Sequence, residues 1–263
     1  LLVAKKENMY PELFHFGSFT VYGYGFCIML GAFLGYLYLL REGNLYNLSS
    51  DKAAQMAMLI FVASYLGGKV FLWIASWDYY MQNPAKMFEI NGSGFVFYGS
   101  FIFSIAGLLV FFKLNKLKPD AMLDILAVTV AIVHGFGKVG CFLAGCCYGI
   151  SCNPSVGVIY TNSKSIAPLH VSLYPVQLID AAIIFGCLLL ILLAKKNKAL
   201  TGKYMLIYGI VYSTGRFFTE FIRGDDGRGY WGPLSQSQWI GIVVILFCMV
   251  LFFRQPTLPK YHK

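Results

Sequence analysis

The chain has 263 residues and a formal net charge of +9, with 58% hydrophobic and only 13% charged residues, whereas soluble domains carry roughly 25% charged residues. That leaves too little polar surface for a water-soluble core, and seven cysteines in a chain this long do not make a secreted disulfide scaffold. The basic residues fall in short clusters between apolar runs, which excludes a continuous basic face for nucleic acid and marks membrane topology instead.

Residues 1–18 contain Lys5 and Lys6 but no apolar run before Phe19. No cleavable signal peptide is expected, and the first membrane helix doubles as the insertion signal. A helix needs about 20 apolar residues to cross roughly 30 Å of hydrocarbon. Residues 19–40 meet that requirement without a charge, and further spans are expected over 53–77, 95–112, 121–143, 175–194, 204–222 and 234–253. All are read as helices, because an open sheet edge cannot face lipid. The expected fold is an all-α integral membrane protein of about seven transmembrane helices, a single domain over 1–263 without internal repeat or linker.

Loop charge sets the orientation. Arg41, Lys52, Lys113, Lys116, Lys118, Lys195, Lys196, Lys198, Lys203, Arg254, Lys260 and Lys263 fall on one side, against Lys5, Lys6, Lys86, Lys164 and Arg228 on the other. The richer side belongs in the cytoplasm, so the N-terminus is expected outside and the C-terminus inside. The two longest connections, 78–94 and 144–174, then face outward.

Ionisable residues inside spans are expensive and point to a site or a paired structural role. Lys69, Asp124, His134, Lys138, Asp180, Arg216, Glu220 and Arg223 all fall in or at the ends of expected spans. In RFFTEFIR, residues 216–223, the spacing of Arg216, Glu220 and Arg223 predicts one shared helical face with two cations flanking an anion. Such a trio either pairs internally or leaves a guanidinium fork for phosphate. In GFGKVGCFLAGCCYG, residues 135–149, the glycines allow close backbone approach, and His134 and Lys138 lie one turn apart. Cys141, Cys146, Cys147 and Cys152 form CxxxxCCxxxxC, which is not a zinc spacing, and the adjacent Cys146 and Cys147 are poorly placed to chelate together, so no metal and no cofactor are expected. A disulfide involving Cys152 and a catalytic thiol remain open alternatives.

Together these segments resemble the prolipoprotein diacylglyceryl transferase family. Its signature, GRxGNFxNxExxG, is matched at Gly137, Gly140, Phe142 and Gly149. YGYGF at 22–26 is similar to the first-helix motif, placing Tyr24 and Gly25 on it, and GFVFYGSFI at 94–102 resembles SFHGGLIG. YPVQLID at 174–180 is similar to HPSQLYE with Asp180 at the acidic position, RFFTEFIR resembles RFxxEFFR, and GPLSQSQWIG at 232–241 is like LSxGQxLS. The chain departs from the family at Tyr98, where the family has His, at Lys138 in place of the signature Arg, and at Cys141 and Cys146 in place of the signature Asn and Glu.

The resemblance implies transfer of a diacylglyceryl group from phosphatidylglycerol to the thiol of a lipoprotein signal peptide, at the outer face of a bacterial cytoplasmic membrane. It implies a substrate site of Tyr24, Gly25, Lys138, Cys141, Gly149, Arg216, Glu220 and Arg223. Arg216, Arg223 and Lys138 are expected to hold the phosphodiester, Glu220 to orient an arginine, His134 to accept the thiol proton, and Tyr98 and Tyr24 to donate hydrogen bonds. A membrane thiol oxidoreductase and a non-catalytic lipid-binding relative are the competing readings.

Overall fold

The computed structural model describes residues 6–7, 10–17, 19–46, 48–88, 96–197, 200–225 and 229–254. Gly94 and Phe95, and the counted loop cations Lys5, Lys198, Arg228, Lys260 and Lys263, lie outside them. The described helices are α1 (Gly23–Glu42), α2 (Ser50–Ala75), α3 (Trp77–Gln82), α4 (Phe97–Leu114), α5 (Pro119–Ala144), α6 (Val176–Lys196), α7 (Tyr204–Thr219) and α8 (Gln236–Arg254). Among the described residues, five stretches are long and apolar enough to cross a membrane: Gly23–Tyr46, Ser50–Ala75, Pro119–Ala144, Val176–Lys196 and Gln236–Arg254. Helix α7 has 16 residues, about 24 Å at 1.5 Å per residue and short of roughly 30 Å of hydrocarbon. A 3-10 turn, Glu220–Ile222, continues it.

Every expected span contains a helix, but the first begins later than expected and the longest connection is not plain loop. Phe19–Tyr22 is not the start of a helix: it pairs antiparallel with Glu12–Phe16, and α1 begins at Gly23. The β-branched and aromatic residues of FTVY suit a hairpin, which satisfies its backbone before the chain enters the helix. The 144–174 connection carries two short strands, Val158–Tyr160 and Ser172–Leu173, paired antiparallel, with Lys6–Glu7 parallel to the first.

The chain divides into two compact units, Leu1–Leu39 with Leu123–His262, and Leu40–Met122. In the second, α2 and α4 pack through small residues. A Cβ on Gly67 would stand 2.3 Å from the Gly99 carbonyl oxygen, so this crossing tolerates nothing larger. The Ser64 and Ser104 hydroxyls lie 2.8 Å apart, and Ser100 Oγ donates to the Ser64 carbonyl at 2.8 Å. Without a hydrophobic drive between helices in lipid, close backbone approach and hydroxyl bonds of this kind hold them together.

The first unit holds a core of Ala127, Val128 and Ala131 from α5, Ile184, Cys187 and Ile191 from α6, and Tyr204 and Tyr208 from α7. Asp124 accepts from the backbone N–H groups of Gly202 and Tyr204 at 2.6 and 3.0 Å. It caps the N-terminus of α7 from α5, which accounts for one intramembrane carboxylate structurally. Lys195 Nζ donates to Tyr38 Oη at 2.6 Å, and Lys203 Nζ to the Phe252 carbonyl at 2.7 Å.

Candidate active site

Three helices of the first unit converge on a buried ionic cluster. Lys138, in the last third of α5, donates to Asp180 Oδ2 on α6 at 2.7 Å, and Thr219 Oγ1 at the end of α7 donates to Asp180 Oδ1 at 2.8 Å. One carboxylate thereby ties all three helices. The Lys138 and Asp180 side chains are 10% and 2% exposed, so the charge on each depends on the other. Lys138 finds no second acceptor among the described residues, which leaves two of its three N–H donors available.

Arg216 pairs with Glu220 one turn later, and the side chains are 13% and 3% exposed. The hydroxyls of Ser235 and Ser237 bond to Glu220 from the start of α8. Arg216 Nη1 is buried with no hydrogen-bond partner. A guanidinium has five donors in a fixed fork, so pairing with Glu220 leaves donors over.

Arg223 does not join that face. The helix tightens at Glu220 and Arg223 is extended, at φ −77° and ψ 142°, so the helical 0–4–7 spacing no longer applies. Its Nε donates to Asp225 Oδ1 at 2.7 Å, and Nη2 bonds the other carboxylate oxygen. The extended segment pairs with the loop after α5: Gly149 and Arg223 form an antiparallel bridge, Ile150 N donates to the Ile222 carbonyl and Gly224 N to the Tyr148 carbonyl, both at 2.9 Å. Gly149 is required there, because a Cβ would lie 2.6 Å from the Tyr174 carbonyl oxygen.

The same loop gathers three thiols. The sulfurs of Cys141, Cys146 and Cys147 all lie within 4.8 Å of one another, each partly buried and none in a disulfide. Cys152 points elsewhere, 3.8 Å from Ser172 Oγ and also unbridged. Hydrogen bonds from Cys141 and then Cys146 hold the Cys147 thiol below the ordinary thiol range against the opposing effect of burial, with Arg223 and Lys138 adding cationic pull. At Cys146, a hydrogen bond with Cys141 lowers the thiol, but its bond to Cys147 and burial outweigh it and push it up to about 11. From α6, Gln177 Nε2 donates to the Cys146 carbonyl at 2.7 Å and to Tyr160 Oη at 3.2 Å, while its Oε1 is buried without a partner.

His134 lies a turn before Lys138, and its Nδ1 is 2.5 Å from Tyr208 Oη, with the Tyr212 ring centroid 4.6 Å away. It is thus held against α7, one ring nitrogen occupied. Tyr24, on the first turn of α1, is within electrostatic reach of the three thiols and Lys138. Its Cα lies 3.1 Å from where a Gly140 Cβ would be, so Gly140 admits α1 to this edge of α5. Beside it, a Cβ on Gly25 would meet no atom within 4 Å. Tyr98 belongs to the second unit, on the first turn of α4, half exposed.

Of the expected site, the structure therefore brings together Lys138, Cys141, Gly149, Arg216, Glu220, Arg223 and Tyr24, with His134 one turn behind. Sequence reasoning assigned no role to Gln177 or Thr219, and did not predict the Lys138–Asp180 pair. The signal for that pair was the presence of two opposite charges in different apolar spans, which in lipid have to find each other.

Helices of membrane-spanning length carrying a buried cluster of ion pairs, with donors of Arg216 and Lys138 left open, define a helical protein built around a polar site within apolar surroundings. Residues 11–254 match the prolipoprotein diacylglyceryl transferase family model, and the chain belongs to that family. It is similar to phosphatidylglycerol–prolipoprotein diacylglyceryl transferase 2 of Clostridium perfringens (strain 13 / Type A), 38% identical over 233 residues, 88% of this chain and 90% of the relative. The corresponding transferase of Clostridium tetani (strain Massachusetts / E88) is 33% identical over 244 residues, 93% of this chain and 97% of the relative.

Proposed function

We propose that this protein is a phosphatidylglycerol–prolipoprotein diacylglyceryl transferase. It moves the diacylglyceryl group of phosphatidylglycerol onto the lipobox cysteine thiol of a prolipoprotein signal peptide and releases glycerol phosphate. Family membership across 11–254 supports the reaction, and the observation that carries it to this site is the buried, unpartnered Nη1 of Arg216. A guanidinium nitrogen with unused donors suits one oxygen of an anionic lipid headgroup.

In this reading Arg216 takes the phosphodiester, with the open donors of Lys138 and the guanidinium of Arg223 adding positive charge where the leaving phosphate develops its own. Glu220 fixes the Arg216 plane. His134, through the ring nitrogen not engaged by Tyr208, takes up the thiol proton, and Tyr24 donates to a substrate oxygen. Residues 1–263 work as one catalytic domain, because the family match runs through both compact units. The seven spans sit in a bacterial cytoplasmic membrane with the N-terminus outside, so the end of α5 and the cysteine loop open to the outer leaflet.

Radiolabelled phosphatidylglycerol and a lipobox peptide, supplied to the protein reconstituted in vesicles, test this. Label should move to the peptide in a form stable to thiol reductants. A thiol oxidoreductase would instead exchange disulfides and transfer no label, and a lipid-binding relative would retain label without passing it on.

A further inference from the structure

The cysteines that replace the family's signature Asn and Glu meet in space, and the transfer reaction requires a thiolate. Cys141 sits in the last turn of α5, and the chain then turns through Gly145 at φ 78° and Cys147 at φ 57°. A left-handed backbone at a non-glycine residue costs about 1–2 kcal/mol. Here it has a specific geometric result. It folds Cys147 back so that two adjacent cysteines, which in an ordinary backbone diverge, converge on the same point as Cys141. Thiols that merely fill space need no such turn. The turn is also fastened from outside, by Gln177 Nε2 on the Cys146 carbonyl and by the bridge between Gly149 and Arg223.

The spacing fits a metal. Zinc–sulfur bonds of about 2.3 Å set the edge of a tetrahedron at about 3.8 Å. Sulfurs within 4.8 Å of one another reach that by closing in about 1 Å or less, within the range of a small side-chain rotation. An all-thiolate donor set selects zinc over magnesium or calcium. Three thiolates with Zn2+ carry a net negative charge, and Lys138 and Arg223, each also paired with an aspartate, lie within electrostatic reach of Cys147. Three protein ligands leave a fourth position open, the arrangement of a reactive rather than a structural zinc.

We infer that Cys141, Cys146 and Cys147 bind Zn2+ and that the open position takes the lipobox cysteine of the substrate as its fourth sulfur. The second half rests on the transferase reading. Coordination strips the incoming thiol of its proton near neutral pH, and that proton passes to solvent. The bound thiolate attacks the glyceryl carbon, a sulfur–carbon bond forms, and the carbon–oxygen bond to phosphate breaks with its electron pair. Glycerol phosphate departs, and the thioether, a weaker ligand than thiolate, is released. The arrangement departs from the expectation from CxxxxCCxxxxC spacing, because that expectation took Cys146 and Cys147 with ordinary backbone angles.

The full chain, purified in detergent under reducing conditions, should contain about one zinc per molecule, and Cys141→Ser/Cys146→Ser/Cys147→Ser about one-tenth of that or less. Cys152→Ser should keep its zinc. After chelation and loading with Co2+ alone, the wild-type protein should develop thiolate-to-cobalt absorption that changes when a lipobox peptide is added and does not change with a Cys→Ser peptide. Wild-type protein that takes up neither metal, or a triple variant that takes up both equally, overturns the site. A cobalt spectrum indifferent to the peptide overturns the fourth-ligand role. Should the triple variant fail to insert, wild-type metal content and the peptide response decide alone. Lipid transfer by metal-free protein refutes the part given to zinc in transfer and leaves the transferase standing, whereas a peptide-responsive cobalt site without thioether formation does the reverse.

Discussion

The crossing of α2 with α4 and the meeting of α5, α6 and α7 answer the same packing problem in opposite ways. In the first, Gly67 and Gly99 bring backbones together and Ser64, Ser100 and Ser104 supply short hydroxyl bonds, so small residues and neutral polar groups join the two helices. In the second, Lys138, Asp180, Arg216 and Glu220 place two ion pairs among apolar helices. Each charged side chain costs about 2.5–3.5 kcal/mol to insert at a helix centre. Neutral bonds join helices for far less, so stability alone does not explain the charged cluster. Donors left over after pairing, on Arg216 and Lys138, therefore mark the proposed site better than charge itself.

The largest effect is expected at the carboxylate joining three helices. Asp180→Ala strands Lys138 and should destabilise the protein by about 3–5 kcal/mol, visible as an early thermal transition in detergent. Lys138→Met with Asp180→Leu should recover most of that stability and no transfer. If the double variant stays active, the cluster is structural. Next in size, Arg216→Ala should lower transfer by about 100-fold or more, equivalent to about 2.7 kcal/mol. Arg216→Lys should fall well short of full rescue, because an ammonium lacks the fork, and steady-state transfer rates measure both. Asp124→Ala removes the cap of α7 and should cost about 1–2 kcal/mol while leaving the substrate affinity unchanged. Smallest of all, Ser64→Ala in the uncharged crossing should cost about 0.6 kcal/mol and not alter transfer.

Much of this was legible in the sequence because the bilayer restricts the choices. Apolar runs near 20 residues located the helices, and the family motifs picked out Lys138, Arg216, Glu220 and Gly149. What escaped depended on contacts between distant residues or on local backbone detail. The partner of Lys138 is 42 residues away, and helical spacing along one span carries no information about it. Arg223 was misassigned to the Arg216 face because nothing in RFFTEFIR announces the 3-10 turn at Glu220–Ile222. The hairpin at Phe19–Tyr22 was absorbed into a span because its apolar residues continue the hydrophobic run without a break. Spacing alone does not show that Cys141, Cys146 and Cys147 converge, because the turn between them runs through left-handed Gly145 and Cys147.

The most direct test is the intact mass of a lipobox peptide incubated with phosphatidylglycerol vesicles and either wild-type protein or Arg216→Ala. The peptide should gain one diacylglyceryl group with the wild type and almost none with the variant, although both insert equally. An unmodified peptide with the wild type, or full modification by Arg216→Ala, would rule out transfer at Arg216.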